Sequence, residues 1–179
     1  IGTGGGLIAE PMARLGYAVT AIDASEKNIK TASLHAESAG LAIDYRATTA
    51  EALADTGAQF DVILALEIIE HVSSVDAFLD ALKRLLKPGG LLILSTLNRT
   101  PKSYAFAIVG AEYILRLLPR GTHQWRKFIR PSELARALRT RKLEVTDSTG
   151  MVMHPLSFAW SLDARDLDVN YLMAASKPL

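Results

Sequence analysis

The segment Glu67-Ile-Ile-Glu-His71 carries the side chains best suited to chemistry in this sequence. If the chain turns helical here, Glu67, Glu70 and His71 fall at positions i, i+3 and i+4 and share one face. Two carboxylates and an imidazole could then bind a hard divalent cation, with Mg²⁺ or Mn²⁺ favoured over zinc. His71, with Glu70 beside it, could instead be a general base toward a phenol, because imidazole titrates near neutral pH. A structural role also stays open, in which Glu67 caps a turn or touches a cofactor and His71 packs.

The chain opens with a glycine-rich loop, IGTGGG. Glycines let the backbone turn tightly and let a ligand approach main-chain N–H groups at a helix N-terminus. A dinucleotide G-x-G-x-x-G motif lacks its third glycine in both registers, where Leu7 or Ala9 stands, although alanine is tolerated there. The spacing of Gly2, Gly4 and Gly6 fits the G-x-G-x-G form of methyltransferases. The loop therefore predicts S-adenosylmethionine as the cofactor.

An acid follows the glycine loop at a useful distance. Asp23 ends a short β-branched strand, where its carboxylate can accept hydrogen bonds from both ribose hydroxyls of a nucleoside. A plain glycine turn followed by a helix-capping aspartate is the simpler alternative.

The elements that position these residues alternate between strand and helix. Strands are predicted at Ala18–Asp23, Ala42–Arg46, Phe60–Leu66, Leu91–Thr96, Leu143–Met153 and Val169–Ala175. Helices are predicted at Leu7–Leu15, Glu26–Ala39, Val75–Leu86 and Pro131–Arg139, with a helical turn at Thr49–Asp55. This order predicts a single α/β domain over residues 1–179, with a Rossmann-like, doubly wound and mostly parallel sheet that ends in an antiparallel C-terminal edge hairpin. Because a glycine loop of this kind normally follows a buried strand, we expect the first of seven strands to be missing from this chain.

Composition limits the possible functions. The chain has 179 residues, a net charge of +1 and no cysteine, which excludes disulfides, zinc–thiolate sites and cysteine nucleophiles. The near-neutral charge argues against nucleic acid as a general partner. The sequence has no apolar run of the roughly 18 residues that a membrane-spanning helix needs.

Residues 99–130 form a basic and apolar segment. It holds one acid and seven basic residues, namely Arg99, Lys102, Arg116, Arg120, Arg126, Lys127 and Arg130. Within it, Tyr104–Leu118 is mostly apolar and lies between two prolines. Such a segment suits a helix at an anionic membrane surface, or a lid over a lipophilic substrate. A buried helix with a Glu112–Arg116 pair is the third possibility.

Several longer motifs resemble one family. They are GTGGGLIAE at Gly2–Glu10, EIIEH at Glu67–His71, LNRTPK at Leu97–Lys102, VGAEYILR at Val109–Arg116, PRGTH at Pro119–His123, KFI at Lys127–Ile129 and DVNY at Asp168–Tyr171. The chain resembles the ubiquinone-biosynthesis O-methyltransferases of bacteria and mitochondria over almost its whole length. The stretch from LNRT to PRGTH is the most specific part of this resemblance.

The resemblance implies a function and a set of sites. It implies methyl transfer from S-adenosylmethionine to a ring hydroxyl of polyprenylated catechols and hydroquinols. Gly2, Asp23 and Leu66 match cofactor contacts, and Glu67, Glu70 and His71 match positions proposed as magnesium ligands. The aspartate that relatives carry just before Ile1 and an upstream cofactor-binding arginine are absent from the sequence.

The resemblance also implies a place and partners. Residues 99–130 match a segment thought to engage membrane and substrate. Peripheral contact with anionic lipid is therefore expected, on the inner face of the cell membrane or, in a eukaryote, on the matrix side of the inner mitochondrial membrane. Other ubiquinone-biosynthesis enzymes are candidate partners. Three alternatives stay open: a methyltransferase for another small hydroxylated acceptor, a nicotinamide-dependent oxidoreductase, and a non-catalytic membrane-binding scaffold.

Overall fold

A computed structural model describes residues 1–106, 124–154 and 159–179 of the chain. These residues divide into two compact units, Ile1–Gln59 and Phe60–Leu179. In the described parts of the chain, no helix is long and apolar enough to cross a membrane. The prediction of one domain over residues 1–179 remains a prediction.

The N-terminal unit is a small α/β layer. Its helices are α1 (Ala9–Arg14), α2 (Glu26–Ser38) and α3 (Ala50–Asp55), and its strands are β1 (Thr20–Asp23) and β2 (Asp44–Ala47). The strands pair in parallel, with Thr20 opposite Asp44, and α2 packs on both of them. The hydroxyl of Ser25 accepts a hydrogen bond from the Asn28 backbone N–H, which caps the start of α2.

The C-terminal unit is built on a five-stranded sheet. Its strands are β3 (Phe60–Leu66), β4 (Leu86–Leu97), β5 (Glu144–Met153), β6 (Trp160–Asp163) and β7 (Asn170–Ser176), in the spatial order β3-β4-β7-β5-β6. Strands β3 and β4 are parallel, whereas β7 runs antiparallel to both of its neighbours and β6 runs antiparallel to β5. The carboxyl ends of β3, β4 and β5 therefore share one edge of the sheet.

Helices cover one face of this sheet. Helix α4 (Val75–Leu85) packs on β4, and α6 (Pro131–Thr140) packs on β5 and β7. A further short helix, α5 (Pro101–Ser103), and a 3₁₀ turn at Trp125–Lys127 flank the residues that the structure does not describe. The core is mostly aliphatic, with Leu79, Leu92 and Leu134 fully buried, and it also encloses the aromatic side chains of Phe78 and Tyr171. This burial is the main stabilising contribution to the unit.

All six predicted strands are present, and the predicted α/β class with antiparallel strands at its C-terminal end is confirmed. Two details differ. The described residues hold one further strand, β6, which was not predicted. Its four residues are all exposed, so they lack the alternation of buried and exposed positions by which a strand is recognised. Strand β4 begins at Leu86, earlier than the predicted Leu91, and its register on β3 shifts between Phe60 and Val62.

The predicted apolar helix at Tyr104–Leu118 lies mostly outside the described residues, as does its Glu112–Arg116 pair. Its first residues are described. They follow α5, where the hydroxyl of Thr100 accepts a hydrogen bond from the Ser103 backbone N–H. The side chains of Tyr104 and Phe106 are about half exposed.

Candidate active site

The glycine loop of the N-terminal unit has the backbone that the spacing predicts. Gly2, Gly4 and Gly6 have φ angles of +71°, +51° and +87°, whereas Gly5 does not have a positive φ. Side chains other than hydrogen are strongly disfavoured in this left-handed region. The Thr3 N–H donates to the Ile22 carbonyl (2.9 Å), which ties the loop to β1. A Cβ at Gly4 would meet no atom within 4 Å, so this side of the loop is open to a ligand.

Asp23 lies at the carboxyl end of β1, as predicted, and its carboxylate orders the loop. One oxygen accepts a hydrogen bond from the Gly4 N–H (2.9 Å). The other accepts from the Ser25 N–H (2.9 Å) and from the Asn28 amide (3.2 Å). A carboxylate has about four acceptor positions, so it can still accept a ligand hydroxyl. Asp23 therefore connects the glycine loop to the start of α2, and its binding to the ribose hydroxyls stays a prediction.

In the C-terminal unit, Leu66 ends β3 and is half-buried, and Glu67 follows it at the carboxyl edge of the sheet. Glu67 has a φ of +52°, which is uncommon for a residue with a side chain. Its N–H donates to the Ser95 hydroxyl (3.0 Å), and its carboxylate accepts from that hydroxyl (2.8 Å) and from the Asn170 amide (3.3 Å). Backbone strain held by surrounding contacts is typical of functional positions.

Glu70 and His71 lie on the turn after Glu67. The Glu70 side chain is buried, and its carboxylate accepts a hydrogen bond from the Thr96 hydroxyl (2.8 Å). Its charge also contributes, after burial, to a raised pKa of Tyr171. His71 is exposed, and its backbone N–H donates to the Ile68 carbonyl (2.9 Å). The turn thus keeps Glu70 buried and leaves His71 exposed.

The helical arrangement of Glu67, Glu70 and His71 is not found. These residues form a bend and a turn, because the Glu67 backbone pairs with Ser95 on β4 instead of starting a helix. Among the residues that the structure describes, no three His, Asp or Glu side chains could together hold a metal ion. The predicted magnesium site therefore finds no support among the described residues and stays a prediction.

Three polar residues of this site were not predicted as site residues from the sequence, namely Ser95, Thr96 and Asn170. The first two interrupt the apolar run of β4 next to its carboxyl end, and that interruption was the available signal. Asn170 had no local signal beyond its place in the DVNY motif, because its partner Glu67 is 103 residues away.

Comparison with known proteins agrees with this fold. A family described as methyltransferase domain matches residues 1–94. A structure of a SAM-dependent methyltransferase from Methanosarcina mazei has a TM-score of 0.73 at 21% identity, covering 99% of this chain and 90% of that one. Magnesium protoporphyrin IX methyltransferase from Synechocystis, with bound SAH, has a TM-score of 0.68 at 19% identity, covering 98% and 71%. The chain is thus a class I, S-adenosylmethionine-dependent methyltransferase.

Closer relatives narrow the class. The ubiquinone biosynthesis O-methyltransferase of Dinoroseobacter shibae is 59% identical over 178 residues, which are 99% of this chain and 72% of the relative. The protein of the same name from Chelativorans sp. is 55% identical, covering 99% and 70%. The chain belongs to the ubiquinone biosynthesis O-methyltransferase family. The predicted S-adenosylmethionine cofactor is confirmed at this level, and the nicotinamide alternative is not favoured.

Proposed function

We propose that this enzyme methylates ring hydroxyls of polyprenylated catechol and hydroquinol intermediates of ubiquinone biosynthesis, namely 2-polyprenyl-6-hydroxyphenol and 3-demethylubiquinol. The observation that carries the proposal is 59% identity over 99% of the chain to a relative named for that pathway. A methyltransferase for another small hydroxylated acceptor is the second candidate.

On the donor side, we assign the cofactor to Gly2, Gly4, Gly6, Asp23 and Leu66. When bound, S-adenosylmethionine supplies a methyl group on a positively charged sulfur. The left-handed glycines let a ligand come close to the backbone, and the remaining acceptor capacity of Asp23 suits ribose hydroxyls. Leu66 is assigned from the resemblance in sequence alone, as an apolar contact of the cofactor. Alignment of donor and acceptor is the main contribution of these residues to the rate.

On the acceptor side, we assign the proton-accepting role to His71. Its imidazole is exposed at the carboxyl edge of the sheet, where open α/β sheets place their ligands. A ring hydroxyl becomes a better nucleophile as it loses its proton, and imidazole has the right basicity near neutral pH. Glu70 acts through the turn, because its buried carboxylate is bonded to Thr96. It is a positioning residue in this mechanism.

No step is routed through Mg²⁺. Glu67 is bonded to Ser95 and Asn170, one carboxylate oxygen of Glu70 is bonded to Thr96, and the described residues hold no group of three acidic or histidine side chains placed to bind a metal ion. Methyl transfer should therefore persist in EDTA. Loss of activity in EDTA that Mg²⁺ restores would refute the metal-free mechanism.

Peripheral membrane contact is proposed for residues 99–130. Among the described residues of the segment, Arg99 pairs with Glu133 and Lys102 pairs with Asp166. The excess of basic over acidic residues in the segment suits anionic headgroups, and candidate partners include other enzymes of the same pathway. The location that follows is the cytoplasmic face of the cell membrane, or the matrix face of the inner mitochondrial membrane in a eukaryote.

Liposome flotation tests the membrane proposal. Charge reversal at Arg116, Arg120 and Lys127 should weaken binding to vesicles of phosphatidylglycerol but not alter the weak binding to phosphatidylcholine vesicles. Equal binding of the wild type and the triple variant to the anionic vesicles would refute it.

The proposed reaction is tested by transfer of labelled methyl from S-adenosylmethionine to a short-chain polyprenyl catechol, with unsubstituted catechol as a second acceptor. We expect methyl transfer to both acceptors, with a higher kcat/KM for the prenylated catechol than for unsubstituted catechol. A preference for the unprenylated ring would favour the second candidate.

His71→Ala should lose most of its kcat, whereas His154→Ala, which alters another exposed histidine at the end of β5, should retain it. Unchanged kcat in His71→Ala would refute the assignment of the base.

A further inference from the structure

Three motifs that the proposed chemistry leaves without a role meet at one place in the C-terminal unit. They are LNRTPK at 97–102, KFI at 127–129 and DVNY at 168–171. Together with their immediate neighbours they form a junction, defined here as residues 97–103, 125–130 and 166–171. The junction lies where β4 ends and β7 begins.

The first segment of the junction holds the backbone of the third. The Asn98 N–H donates to the Val169 carbonyl (2.7 Å), and the Asn98 amide donates to the Leu167 carbonyl (2.8 Å). The Thr100 hydroxyl donates to the Asp168 carbonyl (2.6 Å). Asn98 and Thr100 thus hold the three consecutive carbonyl groups of 167–169, which fixes the path of the chain into β7.

A charged contact reinforces this arrangement. The Lys102 ammonium lies 2.9 Å from a carboxylate oxygen of Asp166 and 3.2 Å from one of Asp168. The hydrogen bond to Asp166 raises the pKa of Lys102, so the lysine stays charged. The ammonium therefore bridges the loop that precedes Asn170.

The middle segment closes the junction from the other side. The Trp125 indole donates to the Thr100 carbonyl (3.1 Å), and the Tyr171 hydroxyl donates to the Ile129 carbonyl (3.0 Å). Leu97 and Phe128 are buried together, with Trp125 and Val169 packed against them. The junction is thus an apolar cluster enclosed by hydrogen bonds.

The junction places Asn170 within hydrogen-bonding distance of Glu67. Asn170 is the first residue of β7 and lies opposite Leu97 in the antiparallel ladder. Its amide donates to one carboxylate oxygen of Glu67 (3.3 Å), while the Ser95 hydroxyl donates to the other (2.8 Å). Two strands other than β3 therefore hold the carboxylate of a residue whose backbone is in the left-handed region.

We propose that Asn170 is a positioning residue for methyl transfer, which fixes the Glu67 carboxylate beside the acceptor and is itself held in register by the junction. The inference rests on the proposed function, because the proposed function places the acceptor at the carboxyl edge of β3. It gives the DVNY motif a role in orienting a site residue. Asn170 acts through Glu67 and has no assigned contact with the reacting atoms.

A double-mutant cycle tests this inference. Asn170→Ala, Glu67→Ala and the double variant are compared with the wild type for kcat, for KM of both substrates and for the thermal midpoint. Asn170→Ala should lower kcat about tenfold with little change in the KM for S-adenosylmethionine, because one charge-assisted hydrogen bond is lost. In the Glu67→Ala background the same change should have almost no effect on kcat. Asn98→Ala should also lower kcat, but by a smaller factor than Asn170→Ala.

Controls separate this inference from the proposed function. Thr149→Ala changes a half-buried residue of β5 and should lower the thermal midpoint without lowering kcat. The cycle is run with the polyprenyl catechol and with plain catechol, so that the identity of the acceptor does not decide it. Independent, multiplicative losses at Asn170 and Glu67 would overturn the positioning role while leaving the proposed function intact. A wild type inactive toward the polyprenyl catechol but active toward catechol would overturn the proposed substrate, and the cycle with catechol would still decide the role of Asn170.

Discussion

Gly6 offers the sharpest test of the glycine loop. Its φ of +87° is in the left-handed region, and a Cβ added there would lie 2.5 Å from the Tyr45 hydroxyl oxygen. We predict that Gly6→Ala weakens the binding of S-adenosylmethionine. The alanine either strains the loop or pushes it away from the conformation that the cofactor needs.

The size of the effect follows from two contributions. A left-handed backbone costs an alanine about 1–2 kcal/mol relative to glycine. The clash adds to this, since an ordinary contact begins at 3.4 Å and the two atoms start at 2.5 Å. If about 2 kcal/mol of the total is expressed in binding, the affinity falls about 30-fold.

Isothermal titration calorimetry with S-adenosylmethionine measures the effect, and two variants dissect it. Gly40→Ala carries similar backbone strain (φ +65°) after the end of α2, with open space around its Cβ, and should lower stability while leaving the affinity unchanged. Tyr45→Phe removes the clashing oxygen, which is a buried hydroxyl without a hydrogen-bond partner in the described part of the chain. Combined with Gly6→Ala, it should restore the steric part of the loss.

Two results would refute the reasoning about this loop. If Gly6→Ala binds the cofactor as tightly as the wild type, the left-handed backbone does not matter for binding. If Gly40→Ala weakens binding as much as Gly6→Ala, the effect is a general loss of stability and not a local change at the cofactor.

Three further predictions concern stability. Thr96→Val removes the donor to the buried Glu70 carboxylate and should lower the free energy of unfolding by about 1.5–3 kcal/mol in urea, whereas Thr96→Ser should recover most of it. The pKa of Glu10 is lowered mainly by its hydrogen bond with His35, so its contribution is present above the unfolded-state pKa and is lost as the pH falls through the lower folded-state pKa. Stability below about pH 4.5 should therefore fall more steeply in the wild type than in Glu10→Gln, and parallel urea midpoints would contradict this. Leu79→Ala should cost about 2–5 kcal/mol because this side chain is fully buried, and a loss below about 1 kcal/mol would show that the core tolerates the cavity.

The local pattern of residues along the sequence was sufficient to predict most of the helices and strands. Strand β3 has the predicted bounds, Phe60–Leu66, because a short run of apolar residues is typical of a strand in a buried sheet. Helix α6 begins at Pro131 as predicted, since proline is well suited to the first turn of a helix. The start of β4 was missed because the residues Lys87 to Gly90 read as a turn. In the folded sheet Leu86 pairs with Phe60 before these residues, and regular pairing with β3 resumes at Leu91, where the strand was predicted to begin.

The glycine loop is the feature that the sequence determined most fully. The left-handed angles of Gly2, Gly4 and Gly6 follow from residue type, because glycine alone adopts them without strain. The candidate site at Glu67–His71 was proposed from the sequence, but its shape could not be predicted from it. Its backbone depends on Ser95 of the neighbouring strand and its carboxylate on Asn170, 103 residues from Glu67. Spacing along a chain describes only neighbours in sequence, so the turn at Glu67 and the contact with Asn170 were decided by strand pairing in the folded sheet.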